Sequence, residues 1–182
     1  MEYVEPIRSK LQIQAMKKYL KQQNLRNYLL FVLGINSGLR ISDLLRLKVN
    51  AVKDKDRIIL REKKTGKLKD FPLAETCKKS IKEYLNTLDK EDDWLFQSHK
   101  RKSPITRIQA YRIINSAARA IGMREAIGTH TLRKTFGYWA YKKGVDVVKI
   151  QKLLNHSAPS ITLAYIGITK DELDNIYIHL NL

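Results

Sequence analysis

The sequence predicts a mainly α-helical domain that carries one small antiparallel β-hairpin, an α+β class. Apolar residues recur at helical spacing along most of the chain. One central stretch differs, because two short apolar runs flank a Thr65-Gly66 turn signal there. The length of 182 residues and the hydrophobic content of 43% suit one packed domain. We therefore expect residues 1–182 to form a single domain without an internal repeat or an interdomain linker.

Three helices are expected before the hairpin. The first covers about residues 7–23, where isoleucine, leucine, methionine and tyrosine side chains fall near helical spacing. The second covers residues 26–37, and its almost entirely apolar centre is typical of a buried helix. Gly38 is expected to end it. Ser42 is expected to cap a short third helix that reaches residue 47.

The hairpin and the helices after it follow from the same patterns. Residues 57–62 and 69–73 are predicted to be two strands joined by a lysine-rich turn. Residues 94–96 (WLF) form either a short strand or an apolar plug of the core. Thr106 is expected to cap a long helix that stops at Gly122. The other helices are expected at about residues 75–88, 130–143, 146–154, 158–165 and 170–180.

The composition points to a polyanionic partner. Thirty-five Lys and Arg residues against 18 Asp and Glu residues give a net charge of +17, which favours nucleic acid. The single cysteine, Cys77, excludes an intrachain disulfide and a cysteine-based zinc site. The longest apolar run, residues 28–35, is too short to cross a bilayer, and the N-terminus lacks the pattern of a signal peptide. A cytoplasmic location is therefore expected.

The last residues differ from the body of the chain. Residues 171–182 contain three acidic residues and no Lys or Arg. Leu173, Ile176, Tyr177 and Leu180 form one apolar stripe at helical spacing. A helix of this kind either packs on its own domain or docks on a neighbouring copy of the chain. Its acidic charge suits a basic protein groove better than it suits DNA, so we favour docking.

Four short motifs contain the residue types that phosphodiester chemistry requires. They are the GLRISD turn with Arg40 and Asp43, the KKTGK turn with Lys64, the HTLR segment with His130 and Arg133, and the NHS segment with His156, which Tyr165 follows nine residues later. His130 and Arg133 share one helix face, because residues three apart on a helix are neighbours. Both side chains can therefore address one site.

Each of these residue types has a chemical reason to be there. Arginine binds phosphate oxygens through two parallel N–H groups and stays charged, so Arg40 and Arg133 suit the transition state of phosphoryl transfer. A lysine such as Lys64 can protonate a leaving alkoxide. A tyrosine can act as a covalent nucleophile when a neighbouring group helps to remove its proton, and His130 or His156 can give that help.

Taken in order, the segments GLRISDLL, KKTGK, HTLRKTFGYWA and LLNHSAPSITLAYI resemble the catalytic domain of the tyrosine recombinase (phage integrase) family. The family pattern is an Arg in a GLR-type turn, a Lys on a β-hairpin, a His-x-x-Arg pair, a His or Trp, and a Tyr. Each position finds a matching residue type here, over about residues 5–175. The matching residues are Arg40, Lys64, His130, Arg133, His156 and Tyr165, with Asp43 at the acidic position of the family.

The resemblance implies a reaction. Enzymes of this family cut one DNA strand with the tyrosine, which forms a 3′-phosphotyrosyl bond and frees a 5′-hydroxyl, and another 5′-hydroxyl then attacks that bond. Because the bond energy is retained, neither a nucleotide cofactor nor a metal is expected, and the sequence has no Walker A loop or carboxylate cluster. The implied partners are double-stranded DNA and further copies of the chain, as a tetramer held by the C-terminal helix. A bacterial, phage or mobile-element gene is implied.

The resemblance also implies residue roles. Tyr165 is the expected nucleophile, and Lys64 is expected to protonate the leaving 5′-oxygen. His130 either assists proton transfer or orients the phosphate, and Asp43 orients a neighbouring group. The groups expected to stabilise the transition state are Arg40, Arg133 and His156. The cations expected to hold the surrounding DNA are Lys63, Lys67, Lys134, Lys100 and Arg101.

The chain also departs from the family in one respect. Only 39 residues precede Arg40, whereas typical members carry a separate N-terminal core-binding domain. That domain is expected to be absent, and the chain is then either a naturally short integrase or a fragment. Two other functions stay open: relaxation of DNA as by a type IB topoisomerase, and a non-catalytic accessory role in DNA binding. The complete set of catalytic residue types favours the recombinase.

Overall fold

The computed structural model describes residues 4–88, 93–98 and 100–168, without the side chain of Arg101. This part of the chain forms eight α-helices and two short hairpins. The helices are α1 (Lys10–Gln23), α2 (Leu25–Ser37), α3 (Ile41–Leu44), α4 (Glu75–Leu85), α5 (Arg107–Ala120), α6 (Thr129–Lys142), α7 (Val147–Leu154) and α8 (Pro159–Ile166). The prediction of a mainly α-helical fold with a small antiparallel sheet is confirmed.

Helix α2 is the centre of the fold. Every residue from Leu29 to Leu33 is fully buried, so the helix is covered on all sides, as its apolar sequence predicts. It packs against α1, α4 and α6. One part of the core joins α2 to α4 and the first hairpin, and a second part joins Phe31 of α2 to α1, α5 and α6. The end of α2 is thereby held firmly where the GLR turn follows.

Helices α6, α7 and α8 share a third apolar cluster. Gly137 of α6 makes their close contact possible. A Cβ atom at this position would lie only 2.6 Å from Ile166 of α8, which is closer than carbon atoms approach. The absence of a side chain at Gly137 therefore lets α8, which carries Tyr165, lie directly on α6, which carries His130 and Arg133.

The first hairpin consists of β1 (Arg57–Arg61) and β2 (Leu68–Pro72), paired antiparallel with Arg61 opposite Leu68. The predicted hairpin is confirmed, and its lysine-rich turn projects beyond the paired strands. Glu62 is not part of β1, although the sequence placed it in the strand. It lies in the turn, and its backbone N–H donates to the carbonyl of Lys67.

A second hairpin was not predicted from the sequence. It consists of β3 (Gln97–Ser98) and β4 (Arg101–Pro104). Its strands are too short and too polar to show an alternating pattern, and β4 ends in proline. Leu95 and Phe96, directly before it, are fully buried, so the WLF segment does act as a plug of the core.

The third helix differs from its prediction. Ser42 lies inside α3 and is not its cap; Arg40 occupies the N-cap position, and no side chain caps the helix. Gly38 ends α2 in the left-handed conformation, with φ of 60°, as predicted. Only Leu39 and Arg40 then separate the two helices, so α3 begins before Ser42 is reached. The consequence is functional, because Arg40 stands at the start of a helix rather than in a loop.

The remaining helices follow their predictions closely. Helix α1 begins three residues later than expected, because Ser9 caps it by accepting from the N–H of Gln12. Thr106 caps α5 through a capping box with Gln109, as predicted in part. The helix predicted at residues 170–180 lies outside the described residues. Within the described ranges, every helix is too short or too polar to cross a membrane.

Candidate active site

Five separate elements contribute the residues that were predicted from the sequence to be catalytic. Arg40 begins α3, and Lys64 is in the turn between β1 and β2. His130 and Arg133 are on α6; His156 follows α7, and Tyr165 is on α8. The contacts and electrostatic interactions described below bring Arg40, His130, Arg133, His156 and Tyr165 into one cluster.

Arg133 is the most firmly held of these residues. Only 3% of its surface is exposed. Its Nη1 donates to the carbonyl oxygen of Gly38 at the end of α2, and its Nη2 donates to the carbonyl oxygen of Leu154 at the end of α7. Burial and the nearby charge of Arg40 lower the pKa of Arg133. The guanidinium therefore joins two helix ends and stands ready beside the phenol of Tyr165.

Arg40 is held by a buried carboxylate. Its Nη1 lies 2.9 Å from Oε2 of Glu62, as an ion pair rather than a well-aligned hydrogen bond. The Arg40 side chain is 16% exposed, and the Glu62 side chain is fully buried. Burial alone would raise the pKa of Glu62, but hydrogen bonds from Thr65 and Asn155 and the charge of Arg40 lower it. Glu62 is thus a carboxylate at neutral pH.

Asp43 connects α3 to the hairpin turn. It is buried, and its Oδ1 accepts a hydrogen bond of 2.8 Å from the backbone N–H of Lys63. The prediction was that this residue orients a neighbour. The observed contact is of that kind, since the bonded N–H belongs to the residue before Lys64. Asp43 and Glu62 together hold both sides of the turn that carries Lys64.

The His156 ring is placed by α8. Its Nδ1 lies 3.0 Å from the hydroxyl oxygen of Thr162, and its ring packs edge-on against Tyr165 with 4.8 Å between the ring centres. Burial and the charges of Arg133 and Arg40 lower the pKa of His156 to about 4. The imidazole is therefore neutral at pH 7. The hydroxyl of Thr162 also lies 3.4 Å from the carbonyl oxygen of Ala158, to which it can donate. In the tautomer in which Thr162 donates to Nδ1 instead, the single N–H of the ring is at Nε2.

Tyr165 has an unsatisfied hydroxyl. Its Oη atom is buried and makes no hydrogen bond to the described residues. Burial raises the pKa of the phenol, while the charges of Arg133 and Arg40 and the close approach of the Arg133 side chain, which is not aligned as a hydrogen bond, act in the opposite direction. The Nζ atom of Lys134 lies 5.3 Å from the centre of the tyrosine ring. The phenol is consequently protonated at neutral pH and faces a strongly positive environment.

His130 stands in the same positive field. It is half-buried on the first turn of α6. Burial, together with the charges of Arg107, Arg133, Lys134 and Arg40, lowers its pKa. His130 is accordingly neutral at pH 7 and has a nitrogen that can accept a proton.

The lysines near the hairpin fall into two groups. Lys63, Lys64 and Lys67 are exposed in the turn. Lys69, on β2, is half-buried, and its Nζ donates 3.0 Å to the carbonyl oxygen of Leu153 at the end of α7. Burial, reinforced by Arg133 and Arg40, lowers the pKa of Lys69 to about 8. Lys69 was not selected from the sequence.

The predicted DNA contacts are placed differently from one another. Lys63, Lys67 and Lys100 are exposed, as a contact to DNA requires. The side chain of Arg101 lies outside the described residues. Lys134 is 5% exposed and lies against Tyr165, so its burial does not support the predicted contact. The physical reason is its position on α6, where it follows Arg133 and faces α8 and the N-terminal segment.

Four unpaired atoms mark the site. In the described residues, the buried side-chain polar atoms without a hydrogen-bond partner are Nη1 of Arg40, Oδ2 of Asp43, Oε1 of Glu62 and Oη of Tyr165. All four belong to this one site. Buried polar groups are normally paired, and the two donors among these atoms, Nη1 of Arg40 and Oη of Tyr165, suit an acceptor such as a phosphate oxygen. Among the described residues, no group of three or more His, Cys, Asp and Glu side chains is arranged to hold a metal ion.

Glu62 and Lys69 were not predicted from the sequence to belong to the site. Glu62 directly precedes the lysines of the turn, but its partners Arg40 and Asn155 are distant in the sequence, so the sequence did not indicate its role. Lys69 had no signal in the sequence either, since its burial depends on the packing of the hairpin against α7.

Comparison with known proteins identifies the class. Residues 9–172 match the family model described as the phage integrase family. The chain is 51% identical to a probable integrase/recombinase, YoeC, of Bacillus subtilis over 94% of this chain and 93% of that protein. It is 31% identical to the tyrosine recombinase XerA of Pyrococcus horikoshii over 82% of this chain. The chain belongs to the phage integrase family.

Solved structures agree on the fold. A crystal structure of XerA recombinase superposes with a TM-score of 0.81 over 100% of this chain and 67% of that chain, at 23% identity. XerH site-specific recombinase bound to palindromic difH substrate gives 0.76 over 97% of this chain and 53% of that chain, at 21% identity. The fold is that of tyrosine recombinase catalytic domains.

More narrowly, its integrase and recombinase relatives make the chain an enzyme of the site-specific tyrosine recombinase class. It spans 53% of the length of the Pyrococcus XerA relative, whereas it spans 93% of the Bacillus relative.

Proposed function

We propose that this chain cuts and rejoins double-stranded DNA through a covalent bond between Tyr165 and a 3′-phosphate. One observation carries the proposal: the buried, unpaired hydroxyl of Tyr165 lies in the field of Arg133 and Arg40. A phosphate in this site accepts hydrogen bonds from both guanidinium groups and presents its phosphorus to the phenol. Related recombinases in this fold are solved with DNA, which supports DNA as the partner.

The chemical step follows from the protonation states. Tyr165 is protonated, because burial raises its pKa, so its proton must leave as the Oη–P bond forms. Neutral His130 is the group that we assign to accept or relay this proton. The P–O5′ bond breaks, and Lys64 protonates the departing 5′-oxygen. Attack by a 5′-hydroxyl on the phosphotyrosyl bond then reverses each step and regenerates the phenol.

Three donors are assigned the role of stabilising the charge that develops on the phosphate oxygens. Arg133 is fixed by carbonyl groups before any ligand binds, so little reorganisation is needed during the reaction. Arg40 is oriented by Glu62 in the same way. His156 is neutral and offers one N–H, a donor that adds a hydrogen bond without adding charge. Asp43 supports these groups by positioning the turn of Lys64.

The residues that contact DNA near the cleavage site are assigned from their exposure and charge. Lys63, Lys67 and Lys100 are exposed and are proposed to contact DNA phosphates. Recombination requires several copies of the chain on DNA, and we propose that a tetramer forms through residues 170–182, whose acidic and apolar pattern suits a basic protein groove. We propose that the protein acts in the cytoplasm and is encoded by a bacterial, phage or mobile-element gene. The relatives are integrases and recombinases, so relaxation of DNA and a purely accessory role are not favoured.

The test is the capture of the covalent intermediate. A library of nicked duplexes with a randomised central segment is incubated with the protein, and SDS-stable protein–DNA adducts are isolated and sequenced. Wild type is expected to yield adducts on a defined sequence, and Tyr165→Phe is expected to bind the same DNA with no detectable adduct. Absence of any adduct from wild type, or an adduct from Tyr165→Phe, overturns the proposal. Tyr111→Phe, at a tyrosine outside the site, is the matched control.

A further inference from the structure

We propose that Glu62 is a positioning residue that holds three parts of the active site in register: Arg40, the turn of Lys64, and the end of α7 before His156. This inference rests on the proposed function. It concerns a residue that the sequence motifs do not include and that does not touch the reacting phosphate. The geometry that points to Glu62 is the convergence of three groups on one carboxylate oxygen: the ion-paired Arg40, the hydroxyl of Thr65 in the same turn, and the amide of Asn155 at the end of α7.

One ion-paired arginine and two hydrogen-bond donors meet at Oε2. Nη1 of Arg40 lies 2.9 Å away, the hydroxyl of Thr65 donates at 2.7 Å, and Nδ2 of Asn155 donates at 2.7 Å. Thr65 directly follows Lys64, and Asn155 directly precedes His156. The same carboxylate oxygen therefore contacts Arg40 directly. It also contacts the residues next to Lys64 and His156 in the chain.

The charge of Glu62 is essential to this arrangement. Its side chain is fully buried, and a buried carboxylate is costly unless it is paired and hydrogen-bonded. Two hydrogen bonds and the ion pair with Arg40 at one oxygen offset this cost, and they also keep the carboxylate ionised. An amide at the same place accepts hydrogen bonds more weakly and offers no charge to Arg40. The register of the three segments therefore depends on the charge and not only on the shape of the side chain.

A second contact acts in parallel. Asn155 adopts the left-handed conformation, with φ of 49°, which ends α7 and directs its side chain back to the hairpin. Nζ of Lys69 donates to the carbonyl oxygen of Leu153 in the same helix end. The hairpin thus touches the end of α7 twice, once on each strand side. Only the Glu62 contact also includes Arg40, and this is why we assign the positioning role to Glu62.

The main test is Glu62→Gln, which keeps the size of the side chain and removes its charge. The rate of adduct formation at saturating DNA is expected to fall about 100-fold, the scale expected when a catalytic group is displaced by about 1 Å. The dissociation constant for DNA is expected to change less than about threefold, since the Glu62 side chain is fully buried. Asp70→Asn is the matched control, because Asp70 is an exposed carboxylate of the same hairpin that pairs with Arg57.

Two further variants keep the test independent of folding. Thr65→Val removes one donor at an exposed turn position and is expected to slow adduct formation about tenfold. Asn155→Gly removes another donor while retaining a residue that favours the left-handed conformation. Because both act on the same network, Glu62→Gln combined with Asn155→Gly is expected to be little slower than Glu62→Gln alone.

The outcomes separate this proposal from the function on which it rests. If wild type forms no adduct, the proposed function fails and the role of Glu62 fails with it. If wild type forms the adduct and Glu62→Gln forms it at the same rate while only its melting temperature falls, Glu62 is structural and this proposal alone is overturned. If the rate loss of the double variant equals the product of the two single losses, Glu62 and Asn155 act independently and the shared network is overturned.

Discussion

The two sides of the site are held in different ways. On one side, Arg133 is buried and joins the ends of α2 and α7, while Tyr165 and His156 pack against each other beneath it. On the other side, Lys64 is exposed in a turn that Asp43 holds through the N–H of Lys63 and that Glu62 holds through Arg40 and Asn155. The groups proposed to bind phosphate are thus preorganised, and the proposed proton donor stands on the more exposed element.

This difference has a physical explanation. Stabilising charge on a phosphate needs fixed dipoles that do not reorganise, and backbone carbonyl groups at helix ends provide fixed anchors for Arg133. A proton donor must reach the leaving oxygen only after DNA is in place, so an exposed lysine that DNA itself can cover is adequate. We expect substitutions on the buried side to affect both stability and catalysis, and substitutions of the exposed lysines in the hairpin turn to affect catalysis alone.

The largest effect is expected for Arg133→Ala. Removal of the guanidinium leaves the carbonyl oxygens of Gly38 and Leu154 without their donor and removes one charge from the phosphate. Adduct formation is expected to slow about 10³-fold, and the free energy of unfolding to fall by about 2–4 kcal/mol. Single-turnover kinetics and thermal denaturation measure the two effects. Arg57→Ala, an exposed arginine of β1, is expected to leave both nearly unchanged; a stable Arg133→Ala protein would show that the helix ends do not need this residue.

Two lysines of the hairpin, Lys64 and Lys69, differ in whether they can protonate the leaving oxygen. Lys64→Ala is expected to slow cleavage about 10²-fold on a normal duplex. On a duplex whose scissile 5′-oxygen is replaced by sulfur, the loss is expected to disappear, because a thiolate leaves without a proton, thiols being far more acidic than alcohols. Melting temperature is expected to stay constant, since Lys64 is exposed.

Lys69→Ala is the matched variant for this experiment. Lys69 has a pKa of about 8, yet its Nζ already donates to Leu153. We expect Lys69→Ala to slow cleavage about tenfold, because Lys69 holds the end of α7. The sulfur substrate is not expected to restore the rate. If the sulfur substrate restores the cleavage rate of Lys69→Ala and not that of Lys64→Ala, Lys69 is the proton donor.

A smaller effect concerns pH. The pKa of His156 is lowered to about 4 in the folded protein from an ordinary 6.5, so the folded protein binds this proton less readily than the unfolded chain. Stability from this group is complete above pH 6.5 and is lost as pH falls from 6.5 towards 4. We expect His156→Gln to reduce the loss of unfolding free energy over this interval by about 3 kcal/mol at pH 4. Thermal denaturation at a series of pH values measures this difference. An identical fall in both proteins would contradict the neutral, buried His156.

The smallest effect separates exposed from buried cations. Lys67→Ala is expected to weaken DNA binding modestly and to reduce the dependence of log K on log salt by about 0.9, the value for one lost phosphate contact. Lys134→Met removes a buried cation that lies over the ring of Tyr165, and is expected to leave the salt dependence unchanged. Binding titrations at several salt concentrations distinguish the two. An equal reduction by Lys134→Met would place that lysine on DNA after all.

Much of the fold was readable from the chain. The apolar block of α2, the Thr-Gly turn and the caps at Thr106 and Gly38 are local signals, and each predicted its element correctly. The second hairpin and the start of α3 were not predicted. In both, the chain reverses or restarts within two to four residues, and tertiary contacts outweigh local propensity.

The sequence by itself determined the class of the protein and its set of reactive residue types, because the order of motifs around Arg40, Arg133 and Tyr165 is a property of the chain. Only the tertiary structure decided how these groups are held. The carboxylate of Glu62, the buried ammonium of Lys134 and the lowered pKa of Lys69 arise from contacts between segments far apart in the chain. Burial and electrostatic interaction depend on distance in space, and spacing along the sequence does not specify that distance.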